Sequence, residues 1–165
     1  NGADRDVWVI DPQKPDSNRI LFELAGGGWE ISDWSPNDKQ VVLMEYLSIN
    51  HSKLYLGDVD QGTKELITED KPGVAYSGAK FSKDGSGIYF TTDAYGEFQQ
   101  LCYRDLKTKK DTILSGNIDW DVSGFELSPK GDRLAFVTNE AGVSKLYFYN
   151  TATKTTEAVQ PDSTK

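Results

Sequence analysis

The chain has 165 residues and a mass of 18.4 kDa, with 37% apolar residues, 12% aromatic residues and 15 glycines, a mixture that suits many short strands and tight turns better than a helical bundle. Its formal net charge of -8, from 26 acidic and 18 basic residues, repels polyanions and argues against a nucleic-acid or anionic-membrane surface. The single cysteine, Cys102, excludes an internal disulfide and a multi-cysteine zinc site, and no apolar run reaches the roughly 18 residues of a helical membrane span.

Residues 1–25 open with NGADRDVWVI, which has neither the basic start nor the long apolar core of a signal peptide. The stretch VWVIDPQKPDSNRILFEL reads as two strands around a turn, the second half of a four-stranded unit whose first two strands are expected upstream. Gly2 falls in register with Gly96 and Gly142, which puts the start of the chain inside a loop between the second and third strands. An unpaired strand edge there is expected to favour self-association or fraying.

Residues 26–70 hold the first complete unit. DWSPNDKQVVL, from Asp33 to Leu43, reads as the end of a strand, a tight turn and a second strand, and SKLYLGDVDQGTKELI follows as two more strands around a second turn. Pro36 presets φ, and Asn tolerates the positive φ that such turns need. His51, the only histidine, falls in the loop between the second and third strands. The run Asp58-Val59-Asp60-Gln61-Gly62 resembles the start of a calcium loop but lacks the third ligand and the closing Glu, so it reads as turn chemistry.

Residues 71–116 and 117–160 repeat the plan, and residues 161–165 form a tail. KFSKDGSGIYF from Lys80 and ELSPKGDRLAF from Glu126 echo the first unit, placing Trp34, Phe81 and Leu127 at spacings of 47 and 46 residues. QQLCYRDLKTKKDTIL and SKLYFYNTATKTTEAV keep Leu54, Leu101 and Leu146 in the same register, and Asp11, Asp58 and Asp105 recur every 47 residues. Alternation at Val41 and Leu43, Ile88 and Phe90, and Leu134 and Phe136 is the period-2 pattern of strands. The cationic cluster Arg104, Lys107, Lys109 and Lys110 surrounds a hairpin turn without interleaved aromatics, and reads as a solvated turn.

A four-stranded antiparallel unit of about 40 to 50 residues repeated in tandem is the signature of a β-propeller blade. The expected fold is therefore all-β, a propeller fragment of about 3.5 four-stranded blades. Just before the anchor of each first strand stand Asp33, Lys80 and Glu126, near the expected central channel. They serve either as an ion network between blades or as separately hydrated charges. The segments leading into the first strands carry Trp29, Tyr76 and Trp120, the last flanked by Asp119 and Asp121. Such residues sit either at a ligand-binding mouth or in aromatic packing between blades. No G-x-S-x-G pentapeptide occurs, so no catalytic residue, cofactor site or metal site is assigned.

The segments DWSPNDK, FSKDG and LSPKGDRLAFVT resemble the PD40, or TolB-like, propeller repeat. More narrowly, ELAGGGWEISDWSPNDKQVVLMEYLSINHSKLYLGDVD, VAYSGAKFSKDGSGIYFTTDAYGEFQQL and WDVSGFELSPKGDRLAFVTNEAGVSKLY resemble the N-terminal propeller of bacterial serine peptidases of the prolyl-oligopeptidase family. The resemblance implies a non-catalytic module that gates or docks peptide substrate for an α/β-hydrolase domain of the same parent chain, in the bacterial cytoplasm or periplasm. None of the family's catalytic triad has a counterpart here. The competing expectation is a TolB-like scaffold that binds another protein.

Overall fold

The computed structural model describes residues 4–160, and contains fourteen strands and no helix among them. The expected register of Gly2 and the tail at 161–165 lie outside the described residues. The chain divides into two compact units, residues 1–75 and 76–165.

In the first unit, β1 (Val7–Asp11) and β2 (Lys14–Phe22) form a two-stranded antiparallel sheet. It is followed by the four-stranded meander β3 (Trp29–Trp34), β4 (Gln40–Ser48), β5 (His51–Asp58) and β6 (Thr63–Leu66). Leu21 and Phe22 from the first sheet, with Leu24 just beyond it, pack with Trp29, Val41 and Leu43 of the second in one apolar cluster. The opposite face of the small sheet leaves Trp8 57% and Ile10 52% exposed, and among the described residues β1 pairs only with β2.

The second unit holds two meanders. The first runs β7 (Tyr76–Phe81), β8 (Gly87–Thr92), β9 (Gln100–Asp105) and β10 (Asp111–Ile113). The second runs β11 (Val122–Leu127), β12 (Arg133–Glu140), β13 (Val143–Asn150) and β14 (Thr155–Ala158). Tyr89, Leu101 and Leu114 of the former pack with Phe125, Leu134 and Phe136 of the latter. Three four-stranded antiparallel sheets and a two-stranded one are the 3.5 blades that the repeats imply.

The turns recur because one serine builds each of them. Ser35, Ser82 and Ser128 accept the backbone N–H five residues on, at 2.9, 3.0 and 3.1 Å. Their hydroxyls donate to Asn37, Asp84 and Asp132 at 2.8, 2.7 and 2.7 Å. The residue three beyond each serine takes positive φ, Asp38 at 58°, Gly85 at 71° and Gly131 at 74°. In the first turn the left-handed position therefore falls on Asp38, while Asn37 acts through its side-chain amide oxygen. The turns between third and fourth strands are Asx turns: Asp58 accepts from the N–H groups of Asp60 and Gln61, Asp105 from Thr108, and Asn150 from Ala152 and Thr153.

Two local expectations change. Strand β8 is buried at all six positions, so Ile88 and Phe90 do not alternate with exposed residues. The anchor positions also differ, because Trp34 is 40% exposed where Phe81 is 3% exposed.

Candidate functional site

The first strand of each meander carries a register irregularity, between Ile31 and Asp33, between Ser77 and Lys80, and between Val122 and Gly124. An extra residue there bends the strand and re-aims the side chains that follow. These strands and the segments leading into them hold all eight residues singled out from the sequence.

In the first unit Trp29 is buried, donates its indole N–H to the carbonyl of Ala25 at 3.0 Å, and lies tilted on Tyr55 with ring centroids 5.1 Å apart. Lys64 sits over the same indole at 5.2 Å. Trp29 is thus spent on packing. Asp33 is half-buried on β3, in register with Val42.

In the second unit Tyr76 is buried with its ring 5.9 Å from that of Phe90. Lys80 and Glu126, from adjoining sheets, meet at 2.8 Å. Glu126 is 75% exposed, so solvent screens the pair and its contribution stays below about 1 kcal/mol. Asp121 accepts the backbone N–H of Gln99 at 2.7 Å, and Val122 donates to the carbonyl of Gln99 at 2.8 Å, tying the segment before β11 to the start of β9. On that segment Asp119 is exposed and Trp120 is 39% exposed.

Three polar networks escaped the sequence reading. His51 is the first residue of β5, not a loop residue, because the pairing of β4 with β5 runs up to Ser48 opposite His51. Its Nε2 lies 3.0 Å from Asp70, which also meets Lys53 at 3.1 Å. Lys53 reaches Glu45 at 3.2 Å, and Glu45 accepts from the Tyr55 hydroxyl at 2.8 Å. Burial works against the charge on Lys53, but hydrogen bonds to Asp70 and Glu45 outweigh it and hold the ammonium above its ordinary pKa. The bond to Lys53, then that to His51, draws the Asp70 carboxyl below the usual range. The Tyr55 phenol is pushed up to about 12, first by burial and then by Glu45.

Arg104 is not part of a solvated turn. Its guanidinium grips Asp111 through two bonds of 2.6 Å, with side chains only 12% and 8% exposed, and lies over the ring of Phe90 at 5.9 Å. The Tyr95 hydroxyl donates to the same carboxylate. In the last sheet Glu140 collects Thr138, Lys145 and Tyr147 at 3.0, 2.5 and 2.6 Å. The signal for two of these networks lies in strand register, since Lys53 stands directly opposite Glu45 and Arg104 directly opposite Asp111.

No nucleophile stands beside a base in any of these clusters, and no group of three metal-ligating side chains is found among the described residues. The Asp58 carboxylate that suggested a calcium loop is occupied by its own turn.

Sheets of this kind, in tandem and joined in this order, define a partial β-propeller. Solved structures similar to it include TolB propellers and the propeller domains of prolyl-oligopeptidase-family peptidases, and an oligogalacturonate lyase as well. TolB from Acinetobacter baumannii aligns with TM-score 0.71 and 21% identity, over 97% of this chain and 39% of that one. Two prolyl endopeptidases analysed for inter-domain dynamics are represented by a chain with TM-score 0.74 and 13% identity, over 96% of this chain and 26% of theirs. Oligopeptidase B from Trypanosoma brucei, with covalently bound antipain, gives TM-score 0.73 and 14% identity over 96% and 24%. The chain thus spans well under half the length of these relatives. No family model and no curated protein matches it.

Proposed function

We propose that the chain is a non-catalytic propeller module that gates or docks peptide substrate for the α/β-hydrolase domain of a prolyl-oligopeptidase-type serine peptidase. The observation that carries the reading is the fold match to peptidase propellers over nearly the whole chain, joined to the absence of any helix among the described residues. An α/β-hydrolase cannot be built without helices, so chemistry would come from another domain. Within the module, Asp119 and Trp120 are the exposed pair on a segment anchored by Asp121, which suits docking of an extended peptide. The Lys80–Glu126 pair would line the channel beside them.

The likeness to TolB, at 21% identity over 97% of the chain, favours a second reading, a scaffold that binds another protein. A fluorogenic peptide assay with a serine-hydrolase active-site label separates the two. Labelling and turnover by the full product of the gene, with neither by this chain, support the peptidase module; a full product that takes no label supports the scaffold.

A further inference from the structure

The second unit contains a cleft of about 600 Å³ between its two meanders, at the end where the serine turns and the Asx turns gather. One wall is built from Tyr89, Tyr103 and the turn around Ser86, and the other from Tyr149, Thr151 and Lys154. Its size lies within the ordinary range for small-molecule sites.

Two phenols in this cleft lack partners. Tyr89 and Tyr149 are each only 7% exposed, both line the space, and neither hydroxyl has a hydrogen-bond partner among the described residues. Their rings are buried, while the hydroxyls reach the cleft and are free to bond an occupant. Burial pushes the Tyr89 phenol up to about 12 and raises that of Tyr149 as well, so both stay protonated at neutral pH and each can donate and accept.

The fold does not require these phenols. Tyr89 and Tyr103 occupy the strand positions of Val42 and Leu56 in the preceding meander, and of Ala135 and Phe148 in the following one. Tyr149 stands where Gly57 and Arg104 stand in the other two. Gly87 is also fitted to the arrangement, since a Cβ there would lie 2.2 Å from the Tyr103 ring. That ring lies across the strand, its hydroxyl 3.0 Å from Ser86 Oγ.

The remaining lining selects an uncharged, hydroxyl-rich occupant. Lys83, Lys110 and Lys154 line the rim together with Asp84 and Asp105, a formal excess of one positive charge. Both carboxylates are already engaged, Asp84 by Ser82 and Ser86 and Asp105 by Thr108, which leaves no free acidic site. Thr112 and Thr151 add neutral hydroxyls, and Leu114 supplies an apolar floor. Alternating hydroxyls and C–H faces are what a sugar ring presents.

We propose that this cleft binds a small neutral carbohydrate of one or two sugar rings, oriented by the hydroxyls of Tyr89 and Tyr149.

The test is isothermal titration of the full chain with glucose, galactose, maltose and diacetylchitobiose, repeated with Tyr89→Phe, Tyr149→Phe and the double variant. Saturable binding of at least one sugar is expected, weakened about tenfold by either substitution, the effect of one lost hydrogen bond, and abolished by both. Thermal midpoints should stay unchanged, because each substitution removes a hydroxyl without a protein partner. No sugar binding at millimolar concentration, binding indifferent to the substitutions, or midpoints that fall in the Phe variants would each overturn the proposal. Binding of a short peptide such as Gly-Pro-Gly at these tyrosines in place of sugar would overturn it too.

Discussion

Replacing Asp111 by Asn tests how much of the third sheet rests on one ion pair. The substitution keeps the shape of the side chain but leaves the Arg104 guanidinium, 12% exposed, facing a neutral amide in place of a carboxylate held at 2.6 Å through two bonds. It also removes the charge that the Tyr95 hydroxyl meets. Stranding one member of a buried pair costs roughly 3–5 kcal/mol, and the low end applies here because Arg104 retains its contact with the Phe90 ring. A loss of about 3 kcal/mol is a large share of the 5–15 kcal/mol that holds a typical domain folded. In urea, with a slope of about 1–3 kcal/mol per molar, the midpoint followed by circular dichroism should fall by 1 M or more. Asp60→Asn is the control, since the Lys39–Asp60 pair is 66% exposed on both sides and its loss should leave the midpoint within error. The double variant Arg104→Met with Asp111→Leu should recover most of the loss, because the two positions are directly opposed on β9 and β10 and an apolar pair strands no charge. Equal midpoints for Asp111→Asn and Asp60→Asn would refute the reasoning.

Gly87→Ala should cost about 1–3 kcal/mol, since its Cβ would lie 2.2 Å from the Tyr103 ring; an unchanged urea midpoint would show that the ring has room to move. The Glu140 carboxyl sits below its usual range, held first by Lys145 and then by Tyr147. Its folded pKa lies under the unfolded value near 4.5, so the stability it contributes is complete above that pH and is lost as pH falls through the folded pKa. Lys145→Met should flatten the acid limb of a stability-against-pH curve, and an identical limb would contradict the assignment. Cys102 is fully buried and its thiol is pushed up to about 12, first by burial, then by the nearby Asp111 carboxylate. It should resist a thiol reagent at pH 8 until urea unfolds the chain; reaction within mixing time would contradict the packing.

The fold was legible because its signals are local and repeated. A serine turn and an Asx turn recur in the repeats, so register could be read directly from Trp34, Phe81 and Leu127, each just before a turn serine, and from Asp11, Asp58 and Asp105. The side-chain networks were less legible, because cross-strand partners depend on where each hairpin turns. Arg104 looked like one cation among several near a turn, and only the pairing of β9 with β10 sets it against Asp111. His51 looked like loop because β4 and β5 continue pairing past the apolar positions that mark the strands. The residues chosen for a binding mouth were read from residue type and place in the repeat, which do not separate the packed Trp29 and Tyr76 from the exposed Trp120. The unpartnered phenols of Tyr89 and Tyr149 gave no sequence signal beyond standing where other repeats carry Val42, Ala135, Gly57 or Arg104.

The most direct measurement of the central claim is a substrate-length series for the full product of the gene, from fluorogenic tripeptides to casein, with a fluorophosphonate label as the count of active sites. A gating propeller predicts labelling together with turnover confined to short peptides. Casein digested as fast as tripeptides, or no label taken at all, would contradict the role assigned to this chain.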